Sequence, residues 1–77
     1  MFSLDKLKLK KSGIVVKNKA KKNIKKRLLD IGLTEGCIVK CILESPSKDI
    51  KAYLIRGSLI AIRDIDSKNI IMEEYNE

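Results

Sequence analysis

Arg27-Leu28-Leu29-Asp30-Ile31-Gly32-Leu33-Thr34-Glu35-Gly36 reads as the last turn of an amphipathic helix, a glycine stop, and a tight turn into a strand. Leu28 and Ile31 extend an apolar stripe that runs back through Ile24 and Ala20, at spacings of four, four and three. Those spacings put the four side chains on one face of an α-helix. Gly32 stands where helices commonly end in the left-handed conformation, which a residue without Cβ adopts freely. Leu33 can then fold back onto the last turn. Gly36 turns the chain again, just before the apolar run Cys37–Leu43. One helix is thereby bolted to one strand, and the rest of the chain must cover what those two leave open.

The helix is expected from about residue 20 to Ile31, with Asn18 as its cap. Its polar face carries Lys21, Lys22, Lys25 and Lys26, with no acid before Asp30. Like charges at three- and four-residue spacing oppose one another, so packing of the stripe must hold the helix. Upstream, Leu4 and Leu7 anchor a short turn over Ser3–Leu7, and Gly13–Lys17 is a first strand with Ile14 and Val16 inward. Downstream, Cys37–Glu44 alternates, with Cys37, Val39, Cys41 and Leu43 facing the core. Ser45–Asp49 has loop composition. Ile50–Arg56 and Ser58–Arg63 are two strands separated by Gly57, with Tyr53, Ile55, Ile60 and Ile62 inward. Asp64–Lys68 is a polar turn, Asn69–Glu73 a last strand, and the tail from Glu74 to Glu77 is expected to fray. Five short strands, glycine turns and one helix make a mainly β protein, a small closed or nearly closed barrel.

Seventy-seven residues make one domain, taken as 1–77, with a thin core. Apolar residues at 44% and charged residues at 35% are globular values. No run approaches the ~18 apolar residues of a membrane helix, and the N-terminus has no signal-peptide core. The chain reads as cytoplasmic. The net charge of +7 is uneven: residues 1–27 hold eleven Lys/Arg and one acid, residues 28–77 six and nine. Such a field attracts an acidic protein, an anionic membrane surface or nucleic acid, and also fits a solvated helix face.

The residue inventory argues against catalysis. There is no histidine, and so no imidazole to activate a serine or cysteine. No phosphate-binding loop is present. Asp64 and Asp66 read as turn residues. Cys37 and Cys41, four apart on a strand, lie about 13 Å from one another at ~3.3 Å per residue. That span suits neither a disulfide nor one shared tetrahedral ion. They read as buried thiols, with no metal and no cofactor. Specific nucleic-acid recognition is disfavoured, because the basic helix is nearly all lysine and the chain has three aromatic residues. One feature suggests a protein partner. The register puts Leu54, Leu59 and Ala61 outward on adjoining strands, rimmed by Arg56 and Arg63, and apolar clusters of this kind mark interfaces.

Two motifs carry a family resemblance. Lys26-Arg27-Leu28-Leu29-Asp30-Ile31-Gly32-Leu33-Thr34-Glu35-Gly36 resembles the Arg-Arg-Leu-Leu-Asp-Met-Gly-Leu-Thr-Pro-Gly signature of the FeoA family, small cytosolic proteins of bacterial ferrous iron uptake. Arg56-Gly57-Ser58-Leu59-Ile60-Ala61-Ile62-Arg63 resembles that family's segment of Arg-Gly, two variable residues and Leu-Ala/Ser-Leu-Arg, and Leu4-Asp5-Lys6-Leu7 with Gly13 resembles its start. Leu9-Lys10-Lys11 replaces its usual Pro-Gly turn. The resemblance marks Arg27, Leu28, Leu29, Asp30, Gly32, Leu33, Gly36 and Gly57 as structural positions. It implies an SH3-like β-barrel with an inserted helix. It also implies a regulatory rather than catalytic role, with the membrane GTPase iron transporter FeoB as partner. Families of this fold are often described as binding transition metals, for which these residues supply no good ligand set. A related domain ends repressors of the diphtheria-toxin-repressor type, so the alternative is a free-standing domain that docks on a repressor or on nucleic acid.

Overall fold

Leu33 N–H donates to the Leu28 carbonyl at 3.0 Å, and Gly32 N–H to the Leu29 carbonyl at 2.9 Å, in the computed structural model, which describes residues 1–76. This bond pair is the Schellman closure of a helix, and it needs a left-handed residue at Gly32, whose φ is 97°. The helix it closes, α1, spans Lys22–Asp30. α1 starts later than the apolar stripe implied, and no side chain caps it. Asn18 instead lies in the preceding strand, and its Oδ1 accepts a bond from Ala20 N–H at 3.0 Å. That local Asx turn competes with capping. The stripe itself packs as expected: Leu28 is buried, and Ala20, Ile24 and Ile31 cover the core beside it.

Six strands make up the sheet: β1 Phe2–Ser3, β2 Ser12–Asn18, β3 Ile38–Glu44, β4 Ile50–Ile55, β5 Ser58–Arg63 and β6 Ile70–Tyr75. A 3-10 turn covers Leu4–Lys6, and a one-turn helix, α2, covers Asp64–Ser67. Every pairing is antiparallel. The order is β1-β6-β2-β3-β4-β5, so the sheet is open at β1 and β5 and is not closed into the expected barrel. Its inner face wraps Leu4, Leu33, Val39, Cys41, Tyr53, Ile55, Ile70 and Met72, all fully buried.

Four details differ from the expected register, each for a local reason. Val15, not Ile14 or Val16, points inward, opposite Met72. Beyond Val15 the β2–β6 register shifts, between Val15 and Lys17, and a bulge of this kind reverses side-chain parity, so that Asn18 is buried as well. Gly13 shares the inward parity; a Cβ there would lie 3.1 Å from both the Glu73 carbonyl and the Met72 side chain. A second shift between Cys41 and Leu43 turns Leu43 out to solvent, opposite Ala52, and sets Glu44 opposite Lys51. Phe2–Ser3 pairs with β6, adding a strand where only a turn was expected. Glu74 and Tyr75 pair with Gly13 and Ser12 rather than fraying, and Glu77 lies outside the described residues. Lys10 holds the early turn at φ 66°, a conformation usually left to glycine.

Side chains of β4 tie the sheet to the 3-10 turn and to α2. Tyr53 OH donates to the Leu4 carbonyl at 3.4 Å, and burial pushes the phenol pKa well above its ordinary value. Lys51 Nζ donates to the Asp5 carbonyl at 2.6 Å and pairs with Asp64 at 3.2 Å. The Lys51 side chain is 8% exposed and that of Asp64 30%. Removing one partner of such a pair is costly when the other stays buried. Asp64→Ala should therefore lose about 3 kcal/mol by stranding the lysine. Lys51→Met should lose much less, since the partly exposed Asp64 carboxylate rehydrates. Denaturant melts check the order, and equal losses would contradict it.

Candidate functional site

The β4–β5 hairpin carries most of the site. Its loop is two residues, Arg56 at φ 49° and Gly57 at φ 82°, as a type I′ turn requires. Leu54 then faces Leu59 directly, and Ala52 faces Ala61. Leu54 is 40% exposed and Leu59 55%. Leu43, brought outward by the β3 bulge and 56% exposed, lies beside Ala52 and widens the apolar patch across three strands. The sequence parity rule missed Leu43, because a bulge leaves no local signature there.

The two arginines expected at the rim are both engaged within the chain. Arg56 Nε donates to the Gly32 carbonyl at 3.0 Å, and its Nη2 donates to Thr34 Oγ1 at 2.6 Å. A Cβ on Gly32 would lie 2.8 Å from Arg56 Cδ. The hairpin loop and the helix stop, the two motif stretches, are thus clasped together through one side chain. Arg63 pairs with Asp66 of α2 at 3.4 Å. Lys21, Lys22, Lys25 and Lys26 are all exposed, one on the residue before α1 and three on the helix itself. Arg27, Leu29 and Asp30 are exposed beside them.

Cys37 and Cys41 are free, buried thiols. Burial is the main cause of a raised thiol pKa at Cys41, with Glu44 adding to it. Metal ligation needs the thiolate, which this environment disfavours. Among the described residues no group of three or more His, Cys, Asp and Glu side chains converges. The donor set does not fit a resident metal. Nor is any helix of the described residues long and apolar enough to cross a membrane.

The chain is thus a small antiparallel sheet protein with an exposed apolar patch and a basic helix face. The chain belongs to the FeoA domain family, whose model matches residues 2–74. No curated protein sequence matches it significantly. Among solved structures, the FeoA protein of Chlorobium tepidum is 24% identical, with a TM-score of 0.91 over 97% of this chain and 71% of that one. The zinc-complexed FeoA of Stenotrophomonas maltophilia is 21% identical, with a TM-score of 0.81 over 95% and 91%. That protein is described as a procaryotic SH3 domain protein and a candidate ferrous iron transport activating factor. A manganese-dependent transcriptional repressor is 11% identical, with a TM-score of 0.88 over 96% of this chain and 41% of the repressor. At these identities the likeness shows the fold alone. The family is associated with ferrous iron transport.

Proposed function

We propose that the protein is a non-catalytic accessory factor of ferrous iron uptake, docking in the cytoplasm on the GTPase region of an FeoB-type membrane transporter. The observation that carries this reading is the Leu43–Leu54–Leu59 patch, exposed on a small, strongly charged domain. Patches of contiguous apolar surface mark partner sites. Family membership supplies the transport context. The lysine face supplies steering towards acidic partner surface or anionic lipid headgroups.

The two elements should separate kinetically. Long-range charge acts on association and fades with salt. Replacing Lys21, Lys22, Lys25 and Lys26 by glutamine should slow association roughly 10-fold at low ionic strength and matter little at high salt. Binding kinetics on the isolated GTPase region check this, after a pull-down from membranes carrying the transporter establishes the complex. A rate unchanged by neutralisation at low salt would remove the lysines from the interface. The structural likeness to a repressor keeps a second reading, docking on a repressor or on nucleic acid. Salt-dependent retention on DNA with no capture by the transporter would favour it.

A further inference from the structure

β5 is an open edge of the sheet: of the described residues, only β4 pairs with it. The register says which backbone groups face outward. In a two-residue hairpin the residues flanking the loop, Ile55 and Ser58, form a hydrogen-bonded pair, and the pattern alternates along the ladder. The far end agrees, since Asp64 N–H donates to the Asp49 carbonyl at 2.8 Å. Ser58, Ile60 and Ile62 therefore direct their backbone groups at β4. Leu59 and Ala61 direct theirs away from it.

This edge lacks the usual guards. Ser58–Arg63 contains no proline, lysine or inward charge, and its ladder with β4 has no bulge. Beside it runs a groove of about 240 Å³, walled by Arg27 and Leu28 of α1, by Ile31 just after it, by Ile60 and Ile62 of β5 and by Asp66 of α2. A strand laid along β5 would place alternate side chains against Leu28 and Ile31, and the others beside Leu59 and Ala61 at the margin of the outer patch. Charge selects the occupant. Arg27 on one wall is exposed; Arg63 at the strand end is 62% exposed and pairs with Asp66, which also lines the groove, so the lining keeps one net positive charge, and the chain carries +7. A second copy would bring two sets of these arginines and two lysine faces to one seam, whereas an acidic segment would neutralise them.

We propose that β5 is a docking edge that takes an extended, acidic partner segment with apolar residues at alternate positions, as a seventh strand whose inward side chains fill the α1–β5 groove. In naming a protein partner this rests on the docking reading above. The test is amide hydrogen exchange followed by NMR, with two probes: the isolated GTPase region of the transporter, and a blocked peptide of alternating valine and glutamate. The Leu59 and Ala61 amides should exchange fast in the free protein and slow by roughly 10-fold or more on binding. Ile60 and Ile62, already bonded to β4, should change little. Ala61→Pro removes an outward N–H without touching the β4 ladder. It should weaken binding of either probe by about 10-fold while circular dichroism shows a folded domain. If the GTPase region binds without slowing Leu59 and Ala61, strand addition is overturned and the docking reading survives. If the GTPase region does not bind, the docking reading fails, and the peptide decides: alternate protection supports strand addition, none overturns it. Protection that grows with protein concentration alone would overturn the acidic occupant in favour of a second copy.

Discussion

Leu28→Ala is expected to lower unfolding free energy by ~2–5 kcal/mol, a large part of what so small a domain possesses. Three facts converge on this side chain. It is the one buried residue of α1, 6% exposed. Its carbonyl accepts the closing bond from Leu33 N–H, and Leu33 is itself fully buried. The helix it belongs to has a lysine-rich face with no acid in its first turn, so it holds together through tertiary packing rather than through propensity. Truncation leaves a cavity between helix and sheet at the point where the two are joined. Leu29→Ala is the control: that side chain is 42% exposed, and its loss should stay near the scale of surface substitutions, about 0.5 kcal/mol. Denaturant melts of both variants check the pair. Similar losses would mean that the helix face is misassigned.

Leu54→Asp and Leu59→Asp are expected to abolish docking while leaving the domain folded. Desolvated apolar anchors dominate interface energies, and losing one costs 2 kcal/mol or more, roughly 30-fold in affinity. A carboxylate does more than truncate, because it would be carried unpaired into the dry centre of the contact. The two leucines face one another across the β4–β5 ladder on the solvent side, so the inner core is untouched. The folding cost is then only the low strand propensity of aspartate, on the order of 1 kcal/mol. The effect should appear mainly as faster dissociation, in contrast to the lysine face.

What could be read from the residues alone follows a physical division. The helix stop was legible because Gly32 interrupts a 3.6-residue period and Leu33 resumes it. The hairpin was legible because Tyr53, Ile55, Ile60 and Ile62 alternate strictly about Gly57. Parity was lost wherever the chain offered no contrast. Ile14-Val15-Val16 is uniformly β-branched, so nothing local tells which of the three faces inward. The same holds at Cys41-Ile42-Leu43, where the bulge moved Leu43 from the core to the outer face of the sheet. Lys51 did carry a signal, a charge on the inward parity of a strand, which demands a partner; Asp64 provides it. The Arg56 clasp had none, because its partners lie more than twenty residues away and the contact exists only once α1 and the hairpin are both formed.

Docking through the outer face of β4 and β5 is the central claim, and surface-immobilised binding kinetics test it most directly. Wild type, Leu54→Asp and Leu59→Asp are each passed over the GTPase region and over the intact transporter in membrane. The account predicts saturable wild-type binding to both and no measurable complex for either aspartate variant, each shown to be folded by its melting transition. Folded aspartate variants that bind both surfaces as tightly as wild type would contradict it, and would move the interface to the Gly32–Gly36 turn.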